Sequence, residues 1–318
     1  MLHIITDTRN TLAGFILQGL RPEDPVNIIE FPKDKRTPWQ KTLRYVEAKF
    51  GIMGSGCYLP TITKQQLQRI QPEDSVLIFD IDYHRDLLIL KQHIPRCKKL
   101  SLFLWNPVQN HDAPSQKALR NIRLLRKNFE HLYTFDPEDA KQHQLQFIPQ
   151  PYRDLNASSH PTVEDIDLYF IGSDKGRLQQ LIQIKQTAER LGLNCLFHIT
   201  PSKRYSYTAE QEKHLTRQHL SYAENIALAR RSKCLVEVVQ ANQTGPTIRA
   251  LEAAFLGKKL ITNRQHAKNA ATYTPQSVWI TSQVTAEGLE NFLASPCSAH
   301  SAEVLATHEI RSWVKNFE

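Results

Sequence analysis

The sequence has no long hydrophobic run: no stretch approaches the ~20 consecutive apolar residues that a transmembrane helix needs. Its start, Met-Leu-His-Ile-Ile-Thr-Asp, also lacks the basic region and the long apolar region of a secretory signal peptide. These two absences predict a cytoplasmic protein.

Cysteine is scarce, and its spacing shows no pairing. The five cysteines are odd in number, widely scattered and free of any CxxC spacing, which argues against both a disulfide framework and a zinc site. The sequence also lacks a Gly-x-Ser-x-Gly elbow, a GxxxxGK[ST] loop and an internal repeat of 20 to 50 residues. These absences argue against serine hydrolases, P-loop NTPases and solenoids, and we expect no bound metal.

Basic residues outnumber acidic ones, 40 to 32, which gives a formal net charge of +8. Such a charge suits nucleic acid, an anionic membrane surface or a phosphorylated substrate, and charge alone does not choose among them. No nucleic-acid motif and no stacking platform of aromatic and basic residues accompanies it. We therefore expect no nucleic-acid partner.

Short apolar runs alternate with amphipathic stretches along all 318 residues, a pattern typical of βα units on parallel sheets. The length suggests two domains. The predicted strands of the first half are His3–Thr6, Val26–Ile29, Ser75–Phe79, Lys99–Leu104 and His131–Phe135. Those of the second half are Asp167–Ile171, Asn194–His198, Lys233–Val239, Lys259–Thr262 and Ser277–Ile280.

The segment Phe147–Pro161 is rich in Pro, Ser and Asn, and its apolar residues recur with neither the helical nor the strand period. This composition is typical of a linker. The sequence therefore predicts an α/β protein with two Rossmann-like domains, residues 1–155 and 156–300, facing each other across a cleft. Residues 301–318 are predicted to carry a C-terminal helix, around His308–Phe317, that packs back towards the first domain.

The run Gln243-Thr-Gly-Pro-Thr-Ile-Arg-Ala-Leu-Glu252 follows a predicted strand and begins a helix, with Pro246 suited to its first position. Gly245 would let a diphosphate approach the backbone, Thr247 would add a hydroxyl donor, and Glu252 would accept from ribose hydroxyls. In the alternative, Thr244 caps an ordinary helix on which Arg249 and Glu252 form a surface pair.

A second turn, Ile171-Gly-Ser-Asp-Lys-Gly-Arg177, joins a predicted strand to a helix and could cradle phosphate around Ser173. Lys175 and Arg177 would neutralise a departing diphosphate, or else they simply begin a surface helix. Tyr222 could stack on a base, although Ser221 and Glu224 around it already form a capping box.

In the first half, Phe79-Asp-Ile-Asp-Tyr-His84 ends a strand with two carboxylates and an imidazole, which suit a metal pair or a general base. Asp80-Ile-Asp82 also matches the Asp-x-Asp metal motif of GT-A glycosyltransferases, but the phosphate-binding signals lie in the other half. We interpret Asp80 and His84 as acceptor-side catalytic candidates or as structural residues. Asn106, His111 and Asp136 follow two further strands, where they would line the acceptor side or serve as turn residues.

Taken in order, several motifs resemble bacterial GT-B glycosyltransferases of lipopolysaccharide and cell-surface polysaccharide biosynthesis over most of the chain. They are Trp105-Asn-Pro107, Phe135-Asp-Pro-Glu-Asp-Ala140, Ile171–Arg177, Ser232-Lys-Cys234, Gln243–Ala253, Gly257-Lys-Lys-Leu-Ile-Thr-Asn263 and Trp313-Val-Lys-Asn-Phe317. The resemblance implies that the second domain holds a nucleotide-sugar donor and the first domain holds the acceptor. The residues that inherit the donor role are Lys175, Arg177, Gly245, Thr247, Arg249 and Glu252. Thr244 departs from the family, since it stands where a first Glu would fall.

The sequence thus predicts a metal-independent glycosyltransferase whose nucleotide-diphosphate sugar is a co-substrate, so that no cofactor is needed. The acceptor would be a lipopolysaccharide, a lipid-linked or another surface saccharide, and the basic surface would contact an anionic inner membrane peripherally. The alternative is a non-catalytic nucleotide- or saccharide-binding protein with the same fold.

Overall fold

The computed structural model describes residues 1–8, 12–31, 37–40, 42–43, 46, 59, 61–81, 84–106, 108, 122–155, 163–239 and 245–318, with only the backbone at 84, 85, 123 and 124. The chain forms two compact units. The first is Met1–Arg153 together with His308–Glu318, and the second is Asp154–Thr307. The sequence predicts that the second domain spans residues 156–300, and the structure gives its bounds as 154 and 307.

The first unit is built on a six-stranded parallel sheet in the order β2-β1-β3-β4-β5-β6. Its strands are β1 (Leu2–Thr6), β2 (Val26–Glu30), β3 (Ser75–Phe79), β4 (Lys99–Leu104), β5 (His131–Thr134) and β6 (Gln146–Phe147). The helices described in this part of the chain are α1 (Leu12–Leu17), α2 (Thr61–Leu67), α3 (His84–His93), α4 (Ile122–Asn128) and α5 (Pro137–His143). Every residue of β1 and β3 is buried, because helices cover both faces of a parallel sheet.

The second unit has a five-stranded parallel sheet in the order β11-β10-β9-β7-β8. Its strands are β7 (Ile166–Ser173), β8 (Cys195–Thr200), β9 (Ser232–Glu237), β10 (Lys259–Thr262) and β11 (Val278–Ile280). Its helices, among the described residues, are α6 (Leu178–Arg190), α7 (Ala209–Glu212), α8 (Tyr222–Arg230), α9 (Ile248–Leu256), α10 (Ala286–Ala294) and α11 (Ala302–Ala306), with a 3₁₀ turn at Gln265–Asn269. The prediction of two parallel α/β domains is confirmed.

Each of the ten predicted strands has a counterpart in the two sheets. The strand that sequence reasoning missed is β6, which has two residues, both exposed. A run that short and that exposed has no apolar pattern to detect. No described helix combines the length and the apolar character that crossing a bilayer requires.

The C-terminal segment packs into the first unit through Trp313, which is 1% exposed. Its ring lies edge-on to Phe103, with the ring centroids 5.1 Å apart, and its indole N–H donates to the carbonyl of Pro149 at 2.6 Å. The segment is not one helix: α12 (Ile310–Trp313) is capped by Glu309 and continues as a 3₁₀ turn, Val314–Phe317. The predicted single helix over His308–Phe317 was therefore wrong in detail.

Replacing Trp313 with Ala should destabilise the first unit by about 3–5 kcal/mol, the usual cost of truncating a buried aromatic. We expect faster amide hydrogen exchange in β3 and β4, which carry the rings that Trp313 contacts. Trp39→Ala is the matched control, because Trp39 is 63% exposed and its loss should change stability by less than ~0.5 kcal/mol. Equal effects of the two variants would contradict this packing role.

Candidate functional site

The carboxyl ends of β7 and β9 carry the turn Ser173–Arg177 and the start of α9, the two segments that the sequence predicted for a donor. The turn bends sharply, because Lys175 and Gly176 have positive φ values of 48° and 85°. An added Cβ at Gly176 would also lie 2.7 Å from the Tyr205 hydroxyl, so a larger residue would displace the Tyr205 side chain. The Lys175 side chain is exposed at the tip of this turn.

Asp174, which sequence reasoning did not single out, holds the turn in place. It is 2% exposed, and its carboxylate accepts from the backbone N–H of Leu178 at 2.6 Å and from the Tyr207 hydroxyl at 2.9 Å. The first bond satisfies one of the free N–H groups at the start of α6. The turn is therefore fixed from both sides before any ligand arrives.

Arg177 spans the ends of two neighbouring strands. Its Nε and Nη2 donate to the carbonyl of Ser173 at 3.3 and 3.1 Å, and its Nη1 donates to the carbonyl of Val238, just beyond β9. The guanidinium also lies 5.2 Å from the centroid of the Phe170 ring. Its described hydrogen bonds are thus to main-chain carbonyls, and it forms no ion pair with any carboxylate in the described part of the chain.

Burial lowers the pKa of Arg177 to about 10, against the more distant carboxylates of Asp174 and Glu237, which raise it. Arg249 lowers it further by like-charge repulsion. A pKa near 10 still leaves the guanidinium charged at neutral pH. The result is a half-buried cation, at the carboxyl edge of a parallel sheet, that lacks a described counter-ion.

Helix α9 begins two residues later than predicted, at Ile248 rather than at Pro246. Thr247 is the N-cap: its hydroxyl oxygen accepts from the Arg249 N–H at 3.2 Å. The same hydroxyl donates to the Glu237 carboxylate at 2.5 Å, and the Thr247 N–H donates to it at 3.2 Å. Two N–H groups at this helix start are thus already engaged. Gly245, two residues before the cap, is buried, and Thr244 lies outside the described residues.

Glu237, at the end of β9, was also missed. It is 3% exposed, and besides Thr247 it accepts from the Thr262 hydroxyl at 2.5 Å and lies 3.4 Å from Arg264 Nε. One carboxylate thus joins β9, the end of β10 and the start of α9. A single acid inside the apolar run Cys-Leu-Val-Glu-Val-Val was the signal available in the sequence.

Arg249 and Glu252 do not lie on an open helix face, since the two residues are 9% and 0% exposed. They form a buried ion pair, so the alternative of a surface pair was wrong. The Glu252 carboxylate also accepts from Asn225 at 3.0 Å and from the Tyr222 hydroxyl. Tyr222 is half-buried, and its hydroxyl hydrogen-bonds to Glu252.

Asn225 and Tyr169 complete this buried network. The Tyr169 hydroxyl donates to Asn225 Oδ1 at 3.0 Å, and Arg249 donates to the same oxygen at 3.3 Å. Arg249 also reaches the carbonyl of Ile171 at 3.4 Å. Burial raises the pKa of Tyr169, which keeps its phenol neutral. The network connects α8 and α9 to the end of β7.

In the first unit, Asp80, Asn106 and Asp136 follow β3, β4 and β5, so the structure brings them to the same edge of adjacent parallel strands. Asp80 has a positive φ of 54°, and Asn106 is half-buried. Asp136 caps α5 by accepting from the N–H groups of Glu138 and Asp139 at 2.9 and 3.2 Å. His84 is the first residue of α3.

His111 and Asp82 lie outside the described residues. Across the described ranges, no three His, Cys, Asp or Glu residues form a group that could hold a metal ion.

Changing Glu237 to Gln should destabilise the second unit by about 3 kcal/mol, because the buried Arg264 then loses its counter-ion and the amide N–H₂ meets a hydroxyl and an N–H group that both donate to the native carboxylate. Urea unfolding followed by far-UV circular dichroism would measure this change in the free energy of unfolding. Glu210→Gln is the control: Glu210 pairs with Lys213 at 2.5 Å on the surface, where removing an ion pair costs less than ~1 kcal/mol. A Glu237 variant as stable as the control would contradict the anchoring role.

No protein-family model matches this sequence, and no curated protein matches it. Solved structures are nevertheless similar in fold. The chain aligns over 99% of its length with 98% of an α,α-trehalose-phosphate synthase (UDP-forming) from Burkholderia xenovorans in complex with glucose-6-phosphate, at 12% identity and a TM-score of 0.59. It aligns over 99% with 96% of AviGT4, a glycosyltransferase involved in avilamycin A biosynthesis, at 11% identity and a TM-score of 0.54.

A GtfA/B complex is a longer neighbour: the chain covers 59% of it with 80% of its own length, at 12% identity and a TM-score of 0.48. At identities this low, structural similarity shows a shared fold and not a shared chemistry. The two neighbours with TM-scores above 0.5 agree with the two parallel sheets described above, and the chain has the fold of GT-B glycosyltransferases.

Proposed function

We propose that this protein is a glycosyltransferase that moves a sugar from a nucleotide-diphosphate sugar to a saccharide acceptor. The observation that carries the proposal is the Arg177 guanidinium, half-buried at the strand ends and held by carbonyls rather than by a carboxylate. A desolvated cation without a counter-ion is costly unless an anion completes its environment. A diphosphate at the end of β7 would supply that anion.

Lys175 extends the same cationic surface from the tip of the turn. When the bond between the anomeric carbon and the diphosphate oxygen breaks, the electron pair leaves with the diphosphate. The charges of Lys175 and Arg177 stabilise this developing anion electrostatically, and no metal is then needed for that step. Ser173, Gly245 and Thr247 border the position, and the nucleotide sugar acts as a co-substrate rather than as a resident cofactor.

The buried ion pair of Arg249 and Glu252 holds the elements around this site in place. Arg249 contacts the Ile171 carbonyl at the base of the turn, while Glu252 secures Tyr222 and Asn225 on α8. We propose that these two residues and Tyr222 contribute to donor binding mainly by holding α8, α9 and the end of β7 in register. Their polar atoms act on the ligand through the turn that they position.

The acceptor side of the proposal rests on the first unit. Asp80, Asn106 and Asp136 share a strand-end edge there, and His84 follows at the start of α3. An acceptor hydroxyl must lose its proton as its oxygen bonds to the anomeric carbon, and a carboxylate or an imidazole can take it. We propose Asp80 and His84 for this role, with Asn106, His111 and Asp136 lining the acceptor.

A lipopolysaccharide, lipid-linked or other surface saccharide is the proposed acceptor. The order of sequence motifs and the net charge of +8 support it, since a basic surface favours contact with anionic lipid headgroups or phosphorylated saccharides. Such an acceptor would place the enzyme at the inner face of the cytoplasmic membrane.

Lys175→Gly should weaken binding of a nucleoside diphosphate about tenfold, the loss of one charge-assisted hydrogen bond of ~1.5 kcal/mol. The same change should raise stability by roughly 1 kcal/mol, because glycine adopts the positive φ of this position without steric cost. Binding and stability therefore move in opposite directions, which separates ligand contact from folding. Isothermal titration calorimetry and urea unfolding measure the two quantities.

Lys185→Ala is the matched control, because Lys185 is a cation of the adjoining helix α6 that pairs with Glu189 at 3.6 Å. It should leave nucleotide affinity unchanged. If Lys175→Gly binds the nucleotide as tightly as Lys185→Ala does, Lys175 has no part in the donor site.

The activity itself is tested by thermal-shift measurements with a panel of nucleotide-diphosphate sugars, since a bound ligand stabilises the native state by mass action. Release of the nucleoside diphosphate in the presence of lipopolysaccharide or lipid-linked acceptors then reports transfer. No stabilisation by any nucleotide sugar would refute the donor site. Donor affinity without transfer to any acceptor would instead identify a non-catalytic binding protein.

A further inference from the structure

A separate cavity of about 570 Å³ opens at the carboxyl end of β8, one strand beyond the Ser173–Arg177 turn. Small-molecule sites commonly enclose ~300–1,000 Å³. The side chains that shape this cavity are those of Ser202, Lys203, Tyr205, Tyr207, Arg217 and His219. None of them belongs to the proposed donor site.

The wall of the cavity is fixed by the loop that follows β8. The Tyr207 hydroxyl accepts from the Ser202 N–H at 2.8 Å and donates to Asp174 at 2.9 Å, which closes the loop onto the donor turn. Tyr205 stands against Gly176 and leaves 42% of its surface exposed. The cavity is thus preformed, and two of its lining residues, Tyr205 and Tyr207, contact Gly176 and Asp174 of the turn that would hold the diphosphate.

The charges in this cavity are unbalanced. Lys203 and His219 are exposed, and neither forms an ion pair or a hydrogen bond with any residue that the structure describes. Arg217 lies 3.6 Å from Glu212, the single carboxylate among the lining residues. Two permanent cations and an imidazole therefore face one acid, together with the hydroxyls of Ser202, Ser206 and Tyr205.

We propose that this cavity binds the anionic group of an acidic saccharide, a phosphate or a carboxylate, carried by a substrate of the glycosyltransferase. The inference rests on the proposed function, because it assigns the sugar that the diphosphate site would process. Lys203 and Arg217 bind the anion, His219 donates a hydrogen bond to it, and the exposed Tyr205 ring packs on the sugar face.

The position of the cavity favours a saccharide that reaches the donor turn. Parallel strands lie ~4.8 Å apart, so a site at the end of β8 neighbours one at the end of β7. Hydroxyl groups and one aromatic face suit a sugar ring, whose surface is polar at its edge and less polar on its face. A longer anionic polymer would need a basic track that continues beyond these residues.

The test is calorimetric titration of the full chain with glucose 6-phosphate, glucuronate and neutral glucose, each with and without saturating UDP. We expect both acids to bind at least tenfold more tightly than glucose. Lys203→Ala should reduce affinity for the acids about tenfold, the loss of one charge-assisted hydrogen bond of ~1.5 kcal/mol. It should leave affinity for UDP unchanged.

Lys213→Ala is the matched control, because Lys213 is exposed on the same segment and pairs with Glu210 outside the cavity. Equal affinity for acids and for glucose, or equal losses in the Lys203 and Lys213 variants, would overturn the inference. If UDP binds while no acidic sugar does, this inference fails and the donor site stands. If no nucleotide binds but the acids do, the donor site fails and the cavity stands as an anion site.

Discussion

The geometry of the candidate donor site depends on the buried carboxylate of Glu237. It accepts hydrogen bonds from the cap of α9 and from Thr262 at the end of β10, and it is the counter-ion of Arg264. Three chain segments distant in sequence therefore meet at one group. Such a carboxylate is stable when buried only if every partner is present, and this makes the local arrangement cooperative. The start of α9 is fixed on the sheet edge by this constraint rather than by its own helix propensity.

The buried ion pair of Arg249 and Glu252 also joins several chain segments. Arg249 and Glu252 fit together because Asn225, Tyr222 and Tyr169 satisfy the remaining polar atoms around them. A buried pair of this kind often adds little net stability compared with an apolar core, but it specifies one arrangement, since removing either ion leaves the other charge uncompensated. We infer that the pair keeps α8 and α9 aligned with the end of β7.

The strands were predictable because a parallel sheet buries both of its faces, which gives β3, β7 and β9 the continuous apolar runs Val76–Phe79, Leu168–Ile171 and Cys234–Val236. The polar network was not predictable in the same way. Asn225 bonds to residues 24 and 27 positions away, and Glu237 meets Thr262 25 positions away, so no local pattern announces either contact. The start of α9 was misplaced for the same reason: Pro246 favours the first helical position locally, but Glu237 selects Thr247 as the cap.

The net charge of +8 becomes informative only when each cation is considered with its counter-ion. Arg249 and Arg264 are buried against carboxylates, and Lys259 caps the end of α10 through the carbonyls of Phe292, Leu293 and Ser295, so these charges are used by the fold. Arg177 and Lys203 form no ion pair with any carboxylate in the ranges that the structure describes, and both lie at carboxyl ends of the second sheet. A cation that the fold does not neutralise remains available to a ligand. Arg177 and Lys203 thus place two such cations at neighbouring strand ends of the second sheet.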